Sequence, residues 1–272
     1  MLKGFKNAAE LDFTIDENKV KMEEAFQLVE KEKGSVFPLI INGERIETEK
    51  KITSLSPATK EVLGYACSCS QELAEKAIQG ANEAFKKWSV TPLEERARAL
   101  RKLARLVEEN RYYIDAWNVE ESGKNWGEAD GELCELLDFI NSYVMHMNNL
   151  EKGLELVPTD EYTKCIYIPI GVGVAVPPWN FPLSLIGGMV AAAVVTGNSI
   201  VCKPSSDSPI VAYKFVELCE KAGIPAGVVN YIPGSGSDIG DFIVEHPLTR
   251  FINFTGSKEI GCRINEHAAK IS

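Results

Sequence analysis

In the second half of the chain, short apolar runs alternate with longer stretches of helical period. The runs VGVAV, SIVCK, VVNYI and FINF are separated by helical patterns at 184–196, 207–222, 237–246 and 257–269. This alternation predicts an α/β fold, a Rossmann-like, doubly wound parallel sheet of about four strands with helical layers. The stretch PPWNFPLSLIGGMVAAAVVTGNSIVCKPSS, residues 177–206, sits at its centre. It reads as the helix and second strand of a β-α-β crossover. Gly187, Gly188, Ala191, Ala192 and Ala193 give that helix little bulk, which suits close packing on a sheet. FINF would be the last strand, with no neighbour on its outer side.

The first half follows other periods. Residues 18–33 place Val20, Ala25, Leu28 and Val29 on one stripe, an amphipathic helix that Gly34 can end. LIINGERI reads as a hairpin about Asn42-Gly43, the dipeptide that supplies the positive φ angles of a type I′ turn. KITSLSP and EVLGYACS form a second strand pair. Ser70 can cap a helix from Gln71, and Thr91-Pro92 with Glu94 and Glu95 starts another. Further helical patterns run over 111–121 and 126–150, broken at Gly123. Residues 70–150 are therefore expected to form a helical layer on one sheet face. Residues 154–170 alternate as strands do, but Pro158 and Pro169 argue against a central strand, so they read as an exposed hairpin.

At 272 residues the chain is long enough for an ample buried core. Lys and Arg number 29 against 39 Asp and Glu, a formal net charge of -10, and no basic cluster stands out, which disfavours a nucleic-acid partner. No stretch reaches the ~18 apolar residues of a membrane span, and the N-terminus lacks a signal-peptide core. A cytoplasmic protein without a membrane partner is expected. The 7 cysteines are dispersed and mostly embedded in apolar patterns, which fits reduced thiols. Cys67 and Cys69 have no second pair at ligand spacing, so no metal is expected.

Polar residues within the apolar crossover carry the candidate chemistry. Asn180 and Lys203 lie where strands give way to loops, the ends at which open parallel sheets bind ligands. Between Pro178 and Pro182, the Asn180 carboxamide could donate to a developing oxyanion with little reorganisation. From the residues alone a turn or helix-cap asparagine is the commoner case. Trp179 reads equally as a core aromatic, and Lys203 as a solvated strand-end lysine. The run from Gly234 to Gly240 follows a strand and opens a helix, but it is not a G-x-G-x-x-G fingerprint. Gly256 and Ser257 form another strand-to-helix turn, whose free N–H groups favour an anion.

Four motifs in register, PWNFP, GNSIVCKPS, GIPAGVVNYIPGSG and FINFTGSKEIG, resemble the aldehyde dehydrogenase superfamily. PLIINGERI, EESGKNWGEADGELCELLDFI and the long N-terminal extension most resemble its 1-pyrroline-5-carboxylate dehydrogenase branch. The resemblance implies NAD, with NADP possible, and oxidation of an aldehyde to an acid: glutamate 5-semialdehyde to glutamate in proline degradation. It implies that Asn180 stabilises the oxyanion, that Pro178, Trp179, Lys203, Ser206, Gly234, Gly256 and Ser257 meet the cofactor, and that Phe181 and Glu121 face the substrate, although from the residues alone a helix-end surface carboxylate is the commoner case for Glu121. At Ser206 many NAD-preferring members carry Glu, so coenzyme choice stays open. The hairpin at 154–170 would join subunits of a homo-oligomer.

Neither an E-[LMT]-G-G nor a G-Q-x-C motif occurs in residues 1–272, so the motifs that would carry the family's general base and nucleophile are not among them. Residues 1–272 are thus expected to be an N-terminal NAD(P)-binding domain without the catalytic domain, inactive as a fragment. A non-catalytic NAD(P)-binding or assembly module, or an aldehyde dehydrogenase for another substrate, are the alternatives.

Overall fold

The structure is a computed structural model that describes residues 5–151, 153–155 and 163–270. Within them α1 (Asp16–Glu32) leads into β1 (Ser35–Phe37), β2 (Leu39–Ile41), β3 (Glu44–Ile46), β4 (Lys51–Leu55) and β5 (Val62–Cys67). Then come α2 (Gln71–Trp88), α3 (Leu93–Glu109), α4 (Arg111–Ser122) and α5 (Trp126–Leu150). Short strands β6 (Leu154–Glu155) and β7 (Lys164–Cys165) precede the alternating half. This half comprises β8 (Val172–Val176), α6 (Ser184–Val195), β9 (Ser199–Cys202), α7 (Pro209–Ala222) and β10 (Val229–Tyr231). A π-helical turn (Gly236–Gly240), α8 (Asp241–Glu245), β11 (Thr249–Phe254) and α9 (Lys258–Ala269) complete it.

The main sheet has the order β11-β8-β9-β10-β2-β3. Its first four strands are parallel, as the alternation predicts, but the sheet is wider than expected. The N-terminal hairpin β2–β3 adds to it, with β2 antiparallel to β10. Asn42 and Gly43 have φ of 54° and 80°, the left-handed pair that the turn requires. The turn is also pinned from outside. Asn230 Oδ1 accepts from the Asn42 N–H at 2.8 Å, and the Asn42 carboxamide fills the space where a Cβ on Gly80 would stand. A second sheet, β1-β5-β4, packs separately.

Side chains alternate cleanly between the two faces of the main sheet. Ile40, Ala175, Ile200, Cys202 and Tyr231 face the larger core, whereas Leu39, Ile41, Val172, Val174 and Val201 face the smaller one. The helices do not form one layer, contrary to the expectation for 70–150. Helix α2 lies directly on the smaller-core face together with α8. On the other face α6 and α7 cover the strands, and α1, α3, α4 and α5 pack outside them. The small residues of α6 serve this outer contact. A Cβ at Gly187 would overlap Leu136 of α5, and one at Gly188 would come within 2.9 Å of the Phe139 ring. Fully buried side chains such as Leu136 and Phe215 each contribute about 1.5–3 kcal/mol over exposure.

Two expectations shift locally. In α1 the buried residues are Met22, Ala25 and Val29, while Val20 and Leu28 are about half exposed. Of the 154–170 hairpin, β6 and β7 pair antiparallel, and Ile166–Ile170 continues without regular pairing. Pro158 lies outside the described residues.

The helices that carry the sheet are capped from the outer layer. Neither α6 nor α7 has a side-chain cap of its own. Glu132 of α5 accepts from Leu183 N (2.8 Å) and Ser184 N (3.0 Å) at the start of α6. Glu121 of α4 accepts from Ile210 N (2.9 Å) and Val211 N (2.8 Å) at the start of α7, and from Ser54 Oγ (2.7 Å).

Burial pushes the Glu121 carboxyl up to about 7, against the three hydrogen bonds that pull it down. The folded chain therefore holds this proton at pH values where the unfolded chain has released it. Stability on this account falls as pH rises from the unfolded value to the folded one, by about 3 kcal/mol in total. Glu121→Gln should be less stable at every pH, because its amide cannot accept from both backbone N–H groups, yet it should lose this slope. Denaturant melts of both proteins at pH 4.5–7 check it; parallel curves would remove the titration from Glu121.

The two sheet edges differ in chemistry. Strand β3 presents Glu44 and Arg45, charges that discourage edge pairing, whereas β11, which carries the apolar Phe251, Ile252 and Phe254, is paired among the described residues with β8 alone. Residues 1–272 expressed alone should therefore self-associate. Light scattering over a dilution series is the check, and a dilution-stable monomer would mean that the β11 edge is covered.

Candidate functional site

The carboxyl ends of β8, β9 and β11 open onto a groove of ≈ 730 Å³. It is lined by the loop after β8, the loop after β9 and the turn from β11 into α9. Pro178, Trp179, Asn180, Phe181, Lys203, Ser206, Gly256 and Ser257 all border it. A larger cavity of ≈ 1010 Å³ lies between α2, α3 and the turn before β10. That one holds none of the strand-end residues, and ligands of open parallel sheets bind at carboxyl ends, so the smaller groove is the better candidate.

Asn180 is exposed in the groove, and its carboxamide makes no hydrogen bond with the described residues. Trp179 is 56% exposed and so is not a core aromatic. Phe181 is 40% exposed, with the Lys124 ammonium 4.2 Å from its ring centroid. Lys203 is not a solvated lysine: it is 8% exposed, and its backbone N–H is tied to Ala175 O at 2.9 Å. No carboxylate among the described residues compensates it, and burial lowers its pKa. An uncompensated ammonium under a groove is a ready partner for hydroxyls or an anion.

Ser257 caps α9 by accepting from Ile260 N at 3.3 Å, which leaves the other first-turn N–H groups of that exposed helix start, at the groove's border, without an intrahelical acceptor. A Cβ at Gly256 would stand 2.8 Å from Phe254 Cζ, so bare backbone is required there. Ser206 is partly exposed at the groove wall.

Two predicted residues lie elsewhere. Gly234 is buried, and a Cβ there would stand 2.7 Å from Ile239 Cδ1. Gly236, two residues on, takes its place in the lining and has open space around it. Glu121 is 3% exposed and wholly engaged at the start of α7, neither at a substrate entrance nor on the surface. A buried carboxylate absent from the sequence expectations, Glu132, instead holds the start of α6 just beyond the groove-lining segment, through Leu183 N and Ser184 N. Its signal was present: Glu132 interrupts the apolar stripe of Ala129, Leu133 and Leu136. Thr255 and Asp207 also line the groove without having been picked out.

The aldehyde dehydrogenase family matches over residues 45–272. The 1-pyrroline-5-carboxylate dehydrogenase of Geobacillus thermodenitrificans is 48% identical over 273 residues, covering 100% of this chain and 53% of that protein. A Thermus 1-pyrroline-5-carboxylate dehydrogenase with bound NAD superposes with a TM-score of 0.96 at 38% identity, over 100% of this chain and 53% of the other. Proline utilization A from Bdellovibrio bacteriovorus gives 0.97 at 36% identity, over 100% and 29%. The chain thus spans about half the length of the curated relatives it matches. With motifs, fold and family match in agreement, the chain belongs to the aldehyde dehydrogenase family.

Proposed function

We propose that these residues form the cofactor-binding part of an NAD(P)-dependent enzyme that oxidises glutamate 5-semialdehyde, the open form of 1-pyrroline-5-carboxylate, to glutamate. The observation that carries the reading is one groove bringing together an unpartnered carboxamide, Asn180, and an uncompensated ammonium, Lys203. The substrate follows the relatives named for 1-pyrroline-5-carboxylate, and the cofactor follows the Thermus structure with NAD.

The groove fits such a cofactor. Lys203 and Ser206 would take the adenosine ribose, and the start of α9 with Gly256 and Ser257 the pyrophosphate. Bare backbone at Gly236 and Gly256 permits close approach. When bound, the nicotinamide accepts a hydride from the aldehyde carbon. Asn180 would donate an amide N–H to the oxygen of the tetrahedral adduct, and Phe181 would wall the substrate side. In this reading the thiolate and the base come from a further half like that of the relatives. None of the cysteines lines the groove, and Cys67, Cys69, Cys134, Cys202 and Cys219 are buried. Exposed Ile166, Tyr167 and Ile168 support 154–170 as a contact with a second subunit.

Asn180 tests the reading in a chain joined to such a C-terminal half. Asn180→Ala should lower kcat about 10²- to 10³-fold, as loss of one oxyanion donor does, with little change in NAD affinity. Steady-state kinetics and cofactor titration decide; intact turnover with weakened NAD binding would make Asn180 a turn residue.

Ser206 tests the adenosine end. A neutral hydroxyl tolerates a 2′-phosphate, so the completed protein should use NADP as well as NAD, with NAD preferred. Ser206→Glu should shift the kcat/KM ratio toward NAD about tenfold through like-charge repulsion. An unmoved ratio would place the ribose elsewhere.

A further inference from the structure

The segment that carries Asn180 has few restraints of its own. Upstream it is fixed by β8, which is bonded to both β9 and β11. Between Pro177 and Leu183 no side chain of the segment makes a hydrogen bond with the described residues. Downstream, α6 begins at Ser184 with no cap from its own chain neighbours. Pro182 restricts one φ angle but cannot set where the segment sits relative to the groove.

That position is set from α5. Glu132 is 2% exposed, and its Oε1 receives the N–H groups of Leu183 and Ser184. Its Oε2 receives Asn118 Nδ2 at 2.7 Å and the Lys124 ammonium. The same ammonium stands 4.2 Å from the Phe181 ring centroid. One carboxylate therefore ties the segment on both sides of Pro182: through backbone N–H groups beyond it, and through Lys124 and the Phe181 ring before it. All partners are donors, and the carboxylate lies at the positive end of α6, so each contact is charge-assisted. We propose that Glu132, acting through Lys124, is the positioning residue of the site, holding Asn180 and Phe181 at the places where an aldehyde oxygen and its chain would lie.

This rests on the catalytic role proposed for Asn180, but the clamp can be read without it. In the 272-residue chain, Glu132→Gln retains the side-chain shape while losing the charge and one acceptor. Hydrogen exchange at Leu183 and Ser184 should speed up, while exchange within β8 stays unchanged. Lys124→Met should loosen the Phe181 side, raising exchange at that residue. Unchanged exchange at Leu183 and Ser184 in Glu132→Gln would overturn the clamp whatever Asn180 does. In the chain joined to a catalytic half, Glu132→Gln should lower kcat about 10- to 100-fold, the scale of a small misplacement, with NAD affinity held within about twofold. The double variant with Asn180→Ala should be no slower than Asn180→Ala alone, because the two act in series. Losses that multiply would overturn the positioning role. An Asn180→Ala variant of full activity would instead sink the catalytic reading and leave the exchange result to judge the clamp.

Discussion

Two carboxyl groups buried at helix starts hold the layers of this fold in register. A helix start presents unpaired N–H groups and a partial positive charge, and burial makes both costly. Helices α6 and α7 begin inside the protein without side-chain caps of their own, so the acceptor must come from elsewhere. Glu132 and Glu121 supply it from the outer layer. Neither α4 nor α5 can then slide across the sheet helices without leaving two buried donors unmet. At its other end α6 is held by cationic and neutral donors: Arg96 Nε gives to Val195 O and Trp88 Nε1 to Val194 O, both at 3.0 Å. The signs at both ends match the helix dipole.

The N-terminal strap obeys the same logic. Asp130 takes Leu11 N at 2.7 Å and the Arg111 guanidinium, while Asp138 takes Ala8 N at 2.8 Å. Arg111 also donates to Ala9 O at 2.8 Å. Asp115, fully buried beside this pair, has no donor for either oxygen, and burial with the nearby Asp130 charge raises it well above the usual carboxylate range. Helix α5 thus carries on one side the anchor of the strap and on another the anchor of the groove.

Much of this was legible in the residues, and the remainder has identifiable causes. Local signals worked where the physics is local: the Asn42-Gly43 turn, the Ser70 cap, and Gly123 at φ 73° ending α4. Asn180 and Lys203 were found because strand ends can be read from apolar runs, whereas Pro178, Trp179, Phe181 and Ser206 came from the resemblance of their motifs to the family. Contacts between distant segments could not be read. Nothing near Asn42 says that its hairpin joins β10, because the joint depends on Asn230, far along the chain. Nothing near Gly187 says that it faces Leu136 rather than the sheet. Glu121 looks like a helix-surface acid until the helix start it meets is in place, and the break that Glu132 makes in the apolar stripe of α5 marks it as buried without saying which donors it meets. Gly234 and Gly236 share one motif, and only the path of the π-helical turn decides which is buried.

Lys203 has a consequence for how fast a ligand arrives. The chain as a whole carries a formal net charge of -10, so an anionic ligand approaching from bulk solvent meets a repulsive field. The attractive ammonium lies under the groove, 8% exposed, and acts only over the last few ångströms. Salt shortens the long-range repulsion, with a Debye length of about 8 Å at physiological ionic strength, but weakens the buried attraction much less. Capture of a dinucleotide by this groove would then quicken as ionic strength rises from very low values, opposite in sign to association steered by surface charge.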